Sequence, residues 1–394
     1  MDCGHGISPE VALVLPAFGY KDMPSRSAVR MVDSVVMTAE ILSQASGHAR
    51  ILVVRVGALG DTLMVTPLLR LLHERQPQAE IDFLCSDLAA PLLELNPYVS
   101  HLHRLRGRNL PLALSFEKRR LVRQLRARDY DLAVLLESAP RYRILTEQAR
   151  PRQIRSFAEV PFNPNLHAIV NNLNAADIHD AKIEDLNMDL PLASDDEARA
   201  DRVLADLPQP RIGVHIGWGP QGRKKLQAQR LRGWSHAGFI QLIRMLLDHD
   251  GISVVLTGSS EDARDTEAIC RQMPGGRVQS IAGRTRVREL AAVIKKLDLL
   301  ISVDSGPCHM AAALGTPLVV VWGPGRLEQT RPVSSITPVR LVRHPVPCAP
   351  CQSTPLQKTC RRNICMELIT PEEVFAAAQS LLTSLPGIDR RDKE

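Results

Sequence analysis

ILVVRVGALGDTLMVTPLLRLL, residues 51–72, decides how the rest of the chain is read. Ile51 to Val56 is apolar at nearly every position, the pattern of a strand covered by helices on both faces. The run ends at Gly57 and Gly60, which flank Ala58-Leu59, and Asp61 follows at once. Leu63, Pro67, Leu68, Leu71 and Leu72 then recur at helical spacing, so a helix is expected over 62–75. A buried strand, a glycine turn and a helix open a parallel βαβ unit. The glycines permit positive φ and close backbone approach, and the helix start offers N–H groups without intrahelical partners. Asp61 fits two roles at such a turn, a helix-capping carboxylate or a catalytic base. The spacing is G-x-x-G, without the G-x-G-x-x-G fingerprint that a Rossmann dehydrogenase needs.

The same alternation spreads outward. IDFLCS (81–86) and YDLAVLL (130–136) read as further strands, with helices near 88–95 and over 115–128 between them. VPFNPNLHAIVNN (160–172) loosens the pattern, and a polar, Pro-bounded passage over 190–210 suits a linker. A second series then begins at RIGVHIGWG (211–219). It continues through ISVVLTG (252–258), VQSIAG (278–283), LDLLISV (297–303) and PLVVVWG (317–323), with helices over 236–248, 261–272, 287–295 and 307–314. The expected organisation is an extension over 1–48, a doubly wound α/β domain over 49–195 and a second over 196–394. The second domain carries a Cys-rich insertion at 346–366 and a closing helix. Two such Rossmann-like domains facing across a cleft form the GT-B architecture, with ligands outside the carboxyl ends of the strands.

Composition narrows the function. Of 394 residues, 44% are apolar and 23% charged, as in an ordinary globular protein. No apolar run approaches the roughly 20 residues of a spanning helix. VALVLPAFG (11–19) is short and follows an acidic start, so it makes a poor signal peptide and the expected location is cytoplasmic. A net charge of +6 suits an anionic partner. With aromatics at 4% and no long basic block, nucleic acid is not expected. The runs KRR (118–120) and RKK (223–225) read as solvated surface.

Several strand ends carry candidate chemistry. SVDSGPCHMAAALGTP (302–317) ends a strand in Asp304-Ser305-Gly306 and opens a helix of small residues. Its N-terminal amides suit an anion, Ser305 and Gly306 let a phosphate approach, and Asp304 can accept from sugar hydroxyls. His309 stands one turn into that helix, as a ligand-facing or a backbone-satisfied histidine. Glu261, in TGSSED (257–262), fits a ribose diol or a first-turn helix acid. Arg232 closes a basic loop, where its fork suits a diphosphate. Four of the eight cysteines, Cys348, Cys351, Cys360 and Cys365, follow C-x2-C-x8-C-x4-C. Four thiolates so spaced match a closed, structural Zn or Fe site, and reduced or partly paired thiols in a surface loop are the alternative.

Taken together, ILVVRVGALGDTLMVTPLLRLL, LTGSSEDARDTEAI, IAGRTRVRELAAVIKKLDLLISVDSGPCHMAAALGTPLVVVWGP and the CAPC…C…CMELITPEEV segment resemble glycosyltransferase family 9, the ADP-heptose heptosyltransferases. The resemblance runs from residue 50 to about 385 and leaves out 1–48. It implies a GT-B enzyme without a catalytic metal. Such an enzyme moves heptose, with inversion, from an ADP-sugar to an anionic glycan, usually the lipopolysaccharide core. Peripheral contact with the inner membrane would go with that acceptor. By similarity Asp61 is the catalytic aspartate beside Gly57 and Gly60. Asp304, Ser305, Gly306 and His309 hold the sugar and diphosphate, and Glu261 binds the ribose. Arg232 stands where many members have Lys. The cysteine cluster resembles an insertion in a subset of members, some of which bind iron there. A protein O-heptosyltransferase acting on secreted adhesins and a non-catalytic nucleotide-sugar binder are the competing readings.

Overall fold

The structure is a computed structural model that describes residues 49–107, 114–217, 231–249, 251–273 and 275–383. The extension over 1–48 and the RKK run lie outside the described residues. Two parallel sheets form the scaffold. The first orders its strands β3-β2-β1-β4-β5, with β1 at Arg50–Val54, β2 at Glu80–Ser86, β3 at His101–Leu105, β4 at Leu132–Leu135 and β5 at Gln153–Ser156. The second runs β11-β10-β9-β6-β7-β8. It is built from β6 (Arg211–His215), β7 (Ser253–Thr257), β8 (Val278–Ser280), β9 (Leu299–Val303), β10 (Leu318–Val321) and β11 (Val339–Val342).

The central strands are the apolar runs seen in the sequence. Ile51, Leu52, Val53 and Val54 of β1 are fully buried, with Ile51 paired to Ile81 on one side and to Leu132 on the other. Each such side chain contributes roughly 1.5–3 kcal/mol of burial. Strand order reverses between β1 and β4 in the first sheet and between β9 and β6 in the second, which fixes where a crevice opens at the strand tips.

The helix expected over 62–75 is two helices, Leu59–Leu63 and Thr66–Arg75. Pro67 in the first turn of the second has no N–H to give and its ring crowds the preceding turn, so the chain breaks at Met64–Val65. The break lets the five-residue piece aim away from the rest. The region near 88–95 yields only a 3-10 turn at Ala90–Leu92. Lys118 of the KRR run is buried rather than solvated, while Arg119 and Arg120 are exposed.

The two halves share an apolar core. One cluster takes Leu63, Met64, Val65 and Leu68 from the first half together with Ala291, Ala292, Cys308 and Ala311 from the second. Polar ties cross the same boundary. Arg288 pairs with Glu94 of the first half at 2.7 Å and with buried Asp196 at 2.9 Å. His167 donates from Nε2 to the Arg331 carbonyl at 2.9 Å, its Nδ1 accepting from the Ile169 N–H. Helix Pro371–Leu382, opened by a reciprocal Thr370–Glu373 cap, closes the chain on helix His236–Leu247 behind the second sheet.

Candidate active site

Both reversal points send a short loop into one shared gap. Beyond β1 the chain passes Gly57 and enters helix Leu59–Leu63; beyond β9 it passes Asp304 and enters helix Gly306–Leu314. Neither Gly57 nor Gly60 takes a positive φ among the residues that do, contrary to the freedom expected of them. Their service is steric. A Cβ on Gly57 would lie 2.5 Å from the Asp61 Cβ, and one on Gly60 would lie 2.6 Å from the His309 ring. Gly306 likewise faces Leu59 at 3.0 Å. The glycines therefore let the two lips of the gap interlock.

Asp61 is the third residue of its helix, not the residue before it. It reaches back so that Oδ2 accepts from the Ala58 N–H at 3.0 Å. Its Oδ1 accepts from Arg55 Nη2 at 2.9 Å. The side chain keeps 35% of its surface exposed. Burial pushes the carboxyl pKa up. The Arg55 charge and the Ala58 amide outweigh that and hold it below the usual range, so Asp61 is ionised at neutral pH.

The opposite lip has a different electrostatic character. Asp304 is pushed up to about 6, chiefly by burial and further by the charge of Asp61, against the pull of Arg232. Arg232 Nη1 lies 3.8 Å from Asp304 Oδ2. Ser305 precedes helix Gly306–Leu314 but its side chain caps none of that helix's amides; it meets Ser302 Oγ at 3.2 Å. Pro307 has no N–H and the Cys308 N–H bonds the Ser305 carbonyl at 3.1 Å, so an anion at this helix start would meet the Gly306 N–H. Deep in the same lip His309 is buried, pushed down to about 4 by that burial, and among the described residues its Nδ1 has no hydrogen-bond partner. It is neutral at physiological pH.

A raised carboxyl pKa carries a stability consequence. Between the ordinary value near 4 and about 6 the folded protein binds the Asp304 proton more tightly than the unfolded chain does. Stability from this group is therefore lost as pH rises through that window. Thermal melts of wild type and Asp304→Asn should show the difference moving against wild type from about pH 4 to about pH 6. A constant difference would mean that Asp304 titrates normally.

Other expected residues fall less simply. Glu261 is exposed at the approach to helix Ala263–Cys270. The acid turned into the β6–β7 crevice is its neighbour Asp262, which accepts from the Ser259 N–H and Oγ at 2.7 Å each and fills the space a Cβ on Gly217 would take. Cys351 and Cys365 are buried, Cys360 is half-buried and Cys348 exposed. Burial and the neighbouring thiols push the Cys365 thiol up to about 11. Among the described residues no three His, Cys, Asp or Glu side chains stand in metal-ligand geometry.

Two residues went unread in the sequence. Arg55 was absorbed into the strand pattern, and Glu137, just past β4, was passed over. Glu137 Oε1 accepts from the Val56 N–H at 2.8 Å and lies 4.0 Å from Arg55 Nε. The available signal was a lone charge inside an apolar run, because a cation there must find carboxylates or carbonyls nearby.

Two doubly wound parallel sheets whose switch-point loops face each other form the GT-B architecture, the fold of the heptosyltransferases. Residues 166–360 match the sequence profile described as glycosyltransferase family 9 (heptosyltransferase). Over those residues the chain carries a domain of that family. Lipopolysaccharide heptosyltransferase 2 of Escherichia coli (strain K12) is 27% identical over 324 residues, covering 72% of this chain and 86% of its own length. Lipopolysaccharide heptosyltransferase 3 of the same strain is 29% identical over 286 residues, covering 67% and 79%. The solved structure of E. coli ADP-heptose LPS heptosyltransferase II superposes with a TM-score of 0.68 at 23% identity, over 85% of this chain and 99% of that one.

Proposed function

We propose that this family 9 enzyme transfers heptose from ADP-heptose to a lipopolysaccharide core or related anionic surface glycan, with inversion and with Asp61 as general base. The observation that carries the proposal is the pairing of an ionised, partly exposed Asp61 with the Asp304–Gly306 cradle across one gap. Curated relatives over most of this chain act on lipopolysaccharide by name, and a structural relative is named for ADP-heptose.

The steps follow from the charges. The acceptor oxygen forms its bond to C1 of the heptose on the face away from ADP. The bond from C1 to the phosphate oxygen breaks, and its electron pair leaves with ADP. The hydroxyl proton passes to Asp61. Arg232 and the backbone amides of Ser305 and Gly306 stabilise the charge that grows on the β-phosphate. In this reading Asp304 accepts from sugar hydroxyls and Glu261 binds the ribose. No step is routed through a metal.

Purified protein incubated with ADP-heptose should release ADP when a deacylated core oligosaccharide is present. Release only with an adhesin polypeptide would assign a protein acceptor instead. Tight ADP-sugar binding without turnover on either acceptor would leave a binding protein and end the transfer reading.

A further inference from the structure

The unread pair behind Asp61 suggests how the base is tuned. We propose that Arg55 is a positioning residue for Asp61, and that Glu137 divides the arginine's charge so that the aspartate stays ionised at rest yet can still take a proton. This rests on the reading of Asp61 as the base.

The geometry carries it. Arg55 lies on the chain just past β1 and is only 21% exposed. One guanidinium nitrogen is anchored on the Leu136 carbonyl, another holds Asp61 Oδ1 at 2.9 Å, and Nε faces Glu137 at 4.0 Å. Glu137 is itself fixed by the Val56 N–H and is 15% exposed. The arginine thus has two carboxylates, one aimed at the gap and one behind it, and a carbonyl that keeps it from swinging away. A guanidinium held by Asp61 alone would bind the ionised form so firmly that proton transfer would be opposed. A second carboxylate at its back weakens that hold without releasing the geometry.

The other groups near Asp61 do not supply the same effect. His309 is neutral at working pH. Asp304 adds negative charge from the far lip, and Arg232 lies beyond it, paired to Asp304. Among the described residues the positive charge in contact with Asp61 is that of Arg55.

The test reads the titration of Asp61 directly. The full-length protein is labelled with ¹³C at the aspartate side-chain carboxyl, and the Asp61 signal is assigned by its loss in Asp61→Asn. In Arg55→Gln that signal should titrate at least one pH unit higher than in wild type, a tenfold change in proton affinity. In Arg55→Gln/Glu137→Gln it should titrate lower than in Arg55→Gln alone, because the remaining carboxylate has gone. Arg55→Lys should keep the titration near wild type while kcat falls and KM for ADP-heptose holds, since the charge survives but the fork does not. The acid limb of kcat/KM should move with the NMR signal. An unmoved Asp61 signal in Arg55→Gln, or no difference on adding Glu137→Gln, would overturn the proposal. The NMR readout needs no turnover, so it stands apart from a failure of the base reading, which would show as normal activity in Asp61→Asn.

Discussion

Asp61→Asn is expected to lower turnover by roughly 10²–10⁴-fold, the usual contribution of a positioned general base, while ADP-heptose binding changes by no more than a few-fold. Asparagine is the informative replacement because its oxygen can still accept from the Ala58 N–H, so the cap on helix Leu59–Leu63 survives. Only the ability to take a proton is removed, along with the charge that Arg55 faces. This separates the two roles that the sequence left open. Single-turnover rates and isothermal titration with the ADP-sugar measure the two quantities independently. Near-normal turnover in Asp61→Asn would confine Asp61 to its structural role and require another base.

Gly60→Ala is expected to destabilise the protein and cut activity, against the direction that helix propensity gives. In a helix, alanine for glycine stabilises by about 1 kcal/mol. Here the new methyl would lie 2.6 Å from one ring carbon of His309 and 3.1 Å from Nε2, and that ring is buried. Overpacking of this kind costs about 1–3 kcal/mol, so steric conflict exceeds propensity. It also pushes helix Leu59–Leu63, and Asp61 with it, away from the opposite lip. Thermal melts and kcat/KM should both fall. Adding His309→Ala should restore much of the melting temperature but not the activity, which would identify the ring as the obstacle. A Gly60→Ala protein as stable and active as wild type would mean that the lips stand farther apart in solution.

The scaffold was legible where burial is two-sided. Ile51–Val54, Val254–Leu256 and Leu318–Val321 sit inside their sheets, so every position is apolar and the run announces itself. The edges were not. β3 exposes or half-exposes most of its residues and β11 half-exposes all of its own, so neither carries a continuous apolar signal. The site was legible as loops after strands, and Asp61, Arg232, Asp304, Ser305, Gly306 and His309 do gather around one gap. What could not be read was contact across long separations. Nothing local tells that Glu137 faces Arg55, 82 positions earlier in the chain, or that Gly60 is small for the sake of His309. The Asp262 orientation over Glu261 depends on a loop turn that spacing does not encode. For the cysteines, the fold brings Cys348, Cys351 and Cys360 near enough to Cys365 to raise its thiol, although among the described residues no three side chains stand as metal ligands.

The apolar cluster shared by both halves has a consequence for how the enzyme can be taken apart. Leu63 and Leu68 on one side and Ala291 and Cys308 on the other exclude water for each other. A fragment severed between the sheets would carry a bare greasy face, and neither piece would behave as an independent module.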